Sequence, residues 1–163
     1  MREAQPEQRL YTPHFGIIEA RVAAIADPRS MVALWMIGFE DQPHRSAEIC
    51  IFEIFGTDVA ANSALVGMGV HPFGDPLIRD EFLKVRVPVD VRELHTYSVE
   101  WTPAEVRFFV DDEFVASVGQ SPNYPMQLML NIYEFESEPA PNAYPKEFVV
   151  DWVRGYRRPP SGP

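Results

Sequence analysis

Residues 47–56 read Ala47-Glu48-Ile49-Cys50-Ile51-Phe52-Glu53-Ile54-Phe55-Gly56. The run is apolar and β-prone except for two glutamates. Carboxylates are seldom buried without a partner or a purpose. Side chains of a regular strand alternate faces. Glu48 and Cys50 therefore share a face, and Glu53, five positions after Glu48, points the other way. One β-bulge between Cys50 and Glu53 restores the parity, because a bulge sets two residues against one on the neighbouring strand. Glu48, Cys50 and Glu53 then look to one side, and Ile49 and Ile51 to the other. Four effective steps at about 3.3 Å separate the glutamate Cα atoms by roughly 13 Å. Side chains leaning toward each other bring the carboxyl groups to about 5–6 Å. That is close to the roughly 5–5.5 Å at which one carboxylate attacks an anomeric carbon while the other donates and then removes a proton. The plainer alternative is two solvent-facing polar positions on a half-exposed strand.

Outward from this run the chain is all-β in pattern. Sixteen prolines in 163 residues cut it into short segments, as expected where strands are joined by many turns. Strands are predicted at 14–25, 31–38, 47–55, 64–70, 82–87, 94–101, 105–110, 113–118, 126–133 and 147–156. Residues 105–118 read as a hairpin turning at Asp111-Asp112-Glu113. No segment sustains a 3.6-residue apolar period. The architecture that follows is an antiparallel two-sheet β-sandwich. One domain over 9–157 is expected, with loose tails at 1–8 and 158–163, and a solvated acidic loop over 134–145.

Composition narrows the partners. Hydrophobic residues make up 46% and aromatics 12%, which supports a packed core rather than disorder. Fourteen basic against 24 acidic residues give a net charge of −10. That argues against nucleic acid and anionic membranes, and is compatible with a neutral polymer. The single cysteine permits no intramolecular disulfide, and the four histidines lack metal-ligand spacing. No cofactor is expected. Residues 1–9 are polar and show no apolar signal-peptide core, so a cytoplasmic location is the face-value expectation.

Six stretches, agreeing in order and spacing, resemble glycoside hydrolase family 16, the laminarinases, lichenases, agarases and carrageenases. The 48–53 segment resembles its Glu-x-Asp-x-x-Glu signature. Phe15-Gly16-Ile17-Ile18-Glu19-Ala20-Arg21 is similar to a strand of the family, and Ala33-Leu34-Trp35-Met36 to the strand before the signature. His95-Thr96-Tyr97-Ser98-Val99-Glu100-Trp101-Thr102-Pro103 resembles its HxYxxEWTP segment. The stretches 125–132 and 148–156 resemble its closing strands.

The resemblance implies a concanavalin A-like jelly roll. It also implies an endo-acting hydrolase of a β-linked glucan or galactan, with Glu48 as nucleophile and Glu53 as general acid/base. Position 50 departs: the family has Asp there, and this chain has Cys50. A thiol is a weak donor and stays neutral beside two carboxylates. Reduced activity is therefore expected, with Glu53 a poorer proton donor and Glu48 less well oriented. The alternative is a catalytically impaired polysaccharide-binding protein using the same cleft; a weaker one is a thiol-dependent role for Cys50. Substrate contacts are expected from Trp35, His71, Trp101, Asn131 and Tyr133. Family members usually extend further on the N-terminal side and are mostly secreted. The resemblance therefore also implies an exposed sheet edge beside the closing strand, open to pairing in a homodimer. A family calcium site has its counterpart at Asp151, which alone makes a poor site.

Overall fold

A computed structural model describes residues 3, 6, 8–135 and 144–157. The expected tails and the middle of the 134–145 loop lie largely outside the described residues. Ten strands form: β1 (Gly16–Ala23), β2 (Ser30–Gly38), β3 (Glu48–Phe55), β4 (Ala64–His71), β5 (Glu81–Val87), β6 (His95–Trp101), β7 (Val106–Val110), β8 (Glu113–Val118), β9 (Met126–Glu134) and β10 (Val149–Tyr156). Every expected strand is present, with ends displaced by two residues at most. No helix among the described residues is long and apolar enough to cross a membrane.

All pairings are antiparallel, in two five-stranded sheets ordered β10-β1-β6-β7-β8 and β5-β4-β3-β2-β9. The sandwich exists because each strand keeps one apolar face. On β1, Ile18, Ala20 and Val22 are buried while Ile17, Glu19 and Arg21 face out. On β6, Tyr97, Val99 and Trp101 point inward with no exposed surface. Facing them from β2 and β3 are Val32, Leu34, Met36, Ile49, Phe52 and Ile54. Burying each such side chain is worth about 1.5–3 kcal/mol, which fixes the register of both sheets.

The β7–β8 hairpin turns on Asp111 and Asp112, both at positive φ (49° and 66°). This is the primed two-residue turn whose twist suits antiparallel strands. Asp111 ties it down by accepting from the Thr96 amide at 2.9 Å and meeting His95 Nδ1 at 2.6 Å.

β9 and β10 are edge strands of their respective sheets. Among the described residues each pairs on one side only. Leu130, Ile132 and Val153, which share the core-facing parity of their strands, remain 41%, 39% and 41% exposed. The site lies on the outward face of the β5-β4-β3-β2-β9 sheet.

Candidate active site

The bulge expected from parity is present, and Ile51 is the extra residue. Leu34 of β2 pairs with Phe52, but the next residue, Trp35, pairs with Cys50. On the other side Cys50 pairs with Gly69 and Glu53 with Gly67, three steps against two. Ile51 and Phe52 both turn into the core with no exposed surface, and Glu48 and Glu53 stay half-buried on the outward face.

Burial is the main electrostatic fact at both glutamates. It pushes Glu48 up to about 7, against the pull of His71 and with a further push from the charge of Glu53. It also holds Glu53 above the usual carboxylate range, against His71, the Cys50 thiol and Lys84. Burial, then the two carboxylates, push the Cys50 thiol well up, so it is neutral. Cys50 is fully buried, and its Sγ donates weakly to Glu53 Oε1 at 3.8 Å. It therefore addresses the expected acid/base, not the expected nucleophile.

Two glycines on β4 keep the floor beside these acids clear. A Cβ at Gly67 would meet Phe82 Cζ at 2.3 Å and Glu53 Cβ at 3.3 Å. Gly69 sits at φ +150°, where a Cβ would meet the Glu81 carbonyl oxygen at 2.2 Å.

Around the pair, β2 and β9 supply one flank. Trp35 Nε1 donates to Asn131 Oδ1 at 2.8 Å. Tyr133, 53% exposed, stands opposite Met31. The other flank comes from β4 and β5. His71 pairs directly with Glu48 across the ladder. Its Nδ1 lies 2.7 Å from Asp80 Oδ1, and its ring stacks on Phe82 at 4.9 Å and 22°. Lys84 donates to Asp58 at 2.7 Å and lies 4.7 Å over the Phe55 ring. Phe55 stacks on Phe135 at 5.7 Å and 8°.

Of the residues expected from sequence, Glu48, Cys50, Glu53, Trp35, His71, Asn131 and Tyr133 thus belong to one sheet. Trp101 does not. It is in the other sheet, fully buried, with Nε1 donating to Ser121 Oγ at 2.8 Å and to the Pro122 carbonyl at 3.1 Å. The expected cleft contact is corrected to a core role, because Trp101 shares the inward parity of Tyr97 and Val99. Asp80, Phe82, Lys84, Phe55 and Phe135 were not anticipated. Phe55 was legible, lying two residues after Glu53 on the same face; the others depend on cross-strand register.

Asp151 accepts from Arg21 Nη1 at 2.8 Å. A carboxylate committed to a guanidinium does not suit calcium, which needs six to eight oxygens. Among the described residues no group of three or more His, Cys, Asp or Glu is placed to hold a metal ion.

A two-sheet jelly roll carrying a carboxylate pair on a bulged strand is a glycanase-type scaffold. The chain belongs to Glycosyl hydrolases family 16, which it matches over residues 10–154. It is 33% identical over 169 aligned residues to a beta-glucanase of Rhodothermus marinus, covering 88% of this chain and 57% of that protein. Its fold is similar to the GlcNAcα1-4Gal-releasing endo-β-galactosidase of Clostridium perfringens, with a TM-score of 0.80 and 28% identity. That match covers 93% of this chain and 40% of the other. The beta-glucanase of Bacillus licheniformis shares the fold at a TM-score of 0.72 and 18% identity, over 91% of this chain and 69% of that one. The chain thus spans little more than half the length of the Rhodothermus protein.

Proposed function

We propose that this chain carries the active face of an endo-acting hydrolase of a neutral β-linked glucan or galactan, working with retention and at reduced rate. The observation that carries the proposal is the Ile51 bulge, which puts Glu48 and Glu53 on one open face. A β-glucanase and an endo-β-galactosidase among the similar proteins support the substrate class.

In this reading the Glu48 carboxylate attacks the anomeric carbon, and Glu53 gives its proton to the departing glycosidic oxygen. Glu53 then takes a proton from water, and the resulting hydroxide equivalent displaces Glu48 from the glycosyl ester. The two acids lie along β3, so the bond they act on sits between them and the polymer crosses the strands. It runs over Trp35 and Asn131 on one flank and over His71 and Phe82 on the other. Polar partners and aromatic faces suit the hydroxyls and CH surfaces of a pyranose.

The chemistry needs Glu48 ionised and Glu53 protonated. With both acids raised, the pair passes through two singly protonated forms, of which one is productive. A proton held on Glu48 in place of Glu53 lowers the active fraction. The same observation favours a second reading, in which the face holds the polysaccharide without cutting it.

Reducing-end release from laminarin, lichenan and agarose tests the proposal. Product from the parent, with loss in Glu48→Gln and Glu53→Gln and a β-anomer first formed, supports it. Retention on an insoluble glucan without product establishes the binding reading instead.

A further inference from the structure

We infer that His71, held in place by Asp80, is the positioning residue for Glu48, standing in for the acid that position 50 lacks. This rests on the reading of Glu48 as nucleophile. Among the described residues nothing hydrogen-bonds the Glu48 carboxyl. The one polar group beside it on its own strand, the Cys50 thiol, is turned to Glu53. Directly across the ladder stands His71, and side chains so paired have Cβ atoms about 4.5–5.5 Å apart.

The imidazole is fixed. Nδ1 is engaged by Asp80 at 2.7 Å, one face rests on Phe82 at 4.9 Å, and Phe73 meets it edge-on at 6.2 Å. A carboxylate at Nδ1 makes that nitrogen the donor and fixes the tautomer. Nε2 has no hydrogen-bond partner among the described residues: it is an acceptor when the ring is neutral and a donor when it is charged.

The surroundings leave this task to His71. From β3 the groups facing Glu48 are Cys50 and Glu53. β2 offers Ala33, Trp35 and Ile37, with Asn131 of β9 behind them, and none of these titrates. β5 offers Lys84, which is bound to Asp58 and opposes Gly67, the partner of Glu53. Asp80 is bound to His71 Nδ1, and Glu81 is engaged with Gln120 at 2.9 Å. His71 is therefore the cation-forming group paired with Glu48, and it also draws both glutamates toward ionisation.

The test is a carbon-13 NMR titration of the glutamate side-chain carboxyls in the full chain, run beside the pH profile of hydrolysis. His71→Phe keeps a ring against Phe82 and removes both nitrogens. The Glu48 midpoint is expected to rise by at least half a unit while the melting temperature holds. On the acidic limb kcat/KM should then fall about tenfold per unit of that rise, as the ionised fraction does, with KM little changed. A Glu48 midpoint unmoved in His71→Phe overturns the inference. Should that variant not fold, Asp80→Asn replaces it, since Asp80 is 68% exposed at its side chain. Its expected result is loss of the single imidazole tautomer in nitrogen-15 shifts and a lower kcat, both restored by Asp80→Glu. A kcat unchanged after the tautomer is lost overturns the inference equally. A parent that cuts no glycan while its Glu48 midpoint still follows His71 removes the catalytic reading and keeps the electrostatic pairing.

Discussion

Cys50 Sγ reaches across the bulge to within 3.8 Å of Glu53 Oε1, although Cys50 lies on the Glu48 side of it. The residue that breaks the family signature thus touches only one of the two acids. Cys50→Asp restores a second hydrogen-bonding group and a third carboxyl in the cluster. A like charge beside Glu53 raises its pKa further, so it holds its proton to higher pH. Hydrolysis of laminarin or lichenan is expected to rise at least about tenfold, with the alkaline limb of the pH profile moving up. Cys50 is fully buried, so the new carboxyl costs about 1–3 kcal/mol of stability, read as a lower melting temperature. A variant that gains no rate on any polymer the parent binds clears Cys50 of blame.

Glu48 ties activity to stability through pH. Its folded-state pKa is about 7 against a reference of 4.5. A carboxyl with a raised folded pKa binds its proton more tightly when folded. Its ionisation therefore removes stability as pH climbs from about 4.5 through 7, and the loss is complete above that window. Taken whole the shift is roughly 3 kcal/mol, and solvent screening of a half-exposed group reduces it to about 1. Glu48→Gln should melt roughly 3 °C higher than the parent at pH 8 and at the same temperature at pH 4, while abolishing hydrolysis. Equal melting temperatures at pH 8 contradict the buried, raised carboxyl.

Strand existence and the bulge were legible because both follow from local rules. Alternation of apolar residues marks each strand, and the spacing of Glu48 and Glu53 demands one extra residue between them if both are to share a face. The Asp111-Asp112 turn announced its hairpin in the same way. Trp101 was misplaced because a motif match carries no parity; counting from Tyr97 and Val99 puts it inside. Asp80, Phe82 and Lys84 escaped because their relation to the acids comes from the β3–β4–β5 register. No property of those residues in isolation reveals it.

Gly67 and Gly69 keep β4 free of side chains beside the acids, and they should fail differently. At Gly67 a methyl meets the tip of the Phe82 ring, which can rotate aside. Gly67→Ala is expected to cost about 1 kcal/mol or less but to disturb the ring under His71 and press on Glu53, lowering kcat severalfold. At Gly69 the backbone itself is in the way, at a φ that disfavours any Cβ. Gly69→Ala should cost at least about 2 kcal/mol and lower the yield of folded protein. Equal melting curves for the two variants contradict this division.

Trp35 and Trp101 offer the sharpest separation of site from core. Both indoles donate through Nε1, Trp35 to Asn131 on the outward face and Trp101 to Ser121 and Pro122 within the sandwich. Trp101→Phe leaves a buried carbonyl and hydroxyl short of a donor, a loss of about 1–3 kcal/mol, or roughly 5 °C for a chain of this size. The folded fraction should keep the parental KM, since no substrate reaches that ring. Trp35→Ala removes a partly exposed platform and frees Asn131. Its KM for a soluble glucan should rise about tenfold, the equivalent of 1.4 kcal/mol, with a small change in melting temperature. Trp35→Phe keeps the apolar face and loses only the hydrogen bond, so it should fall between the parent and Trp35→Ala. If Trp101→Phe raises KM as much as Trp35→Ala does, the polymer does not lie on the outward face of β2 and β3, and the site must be sought on the other sheet.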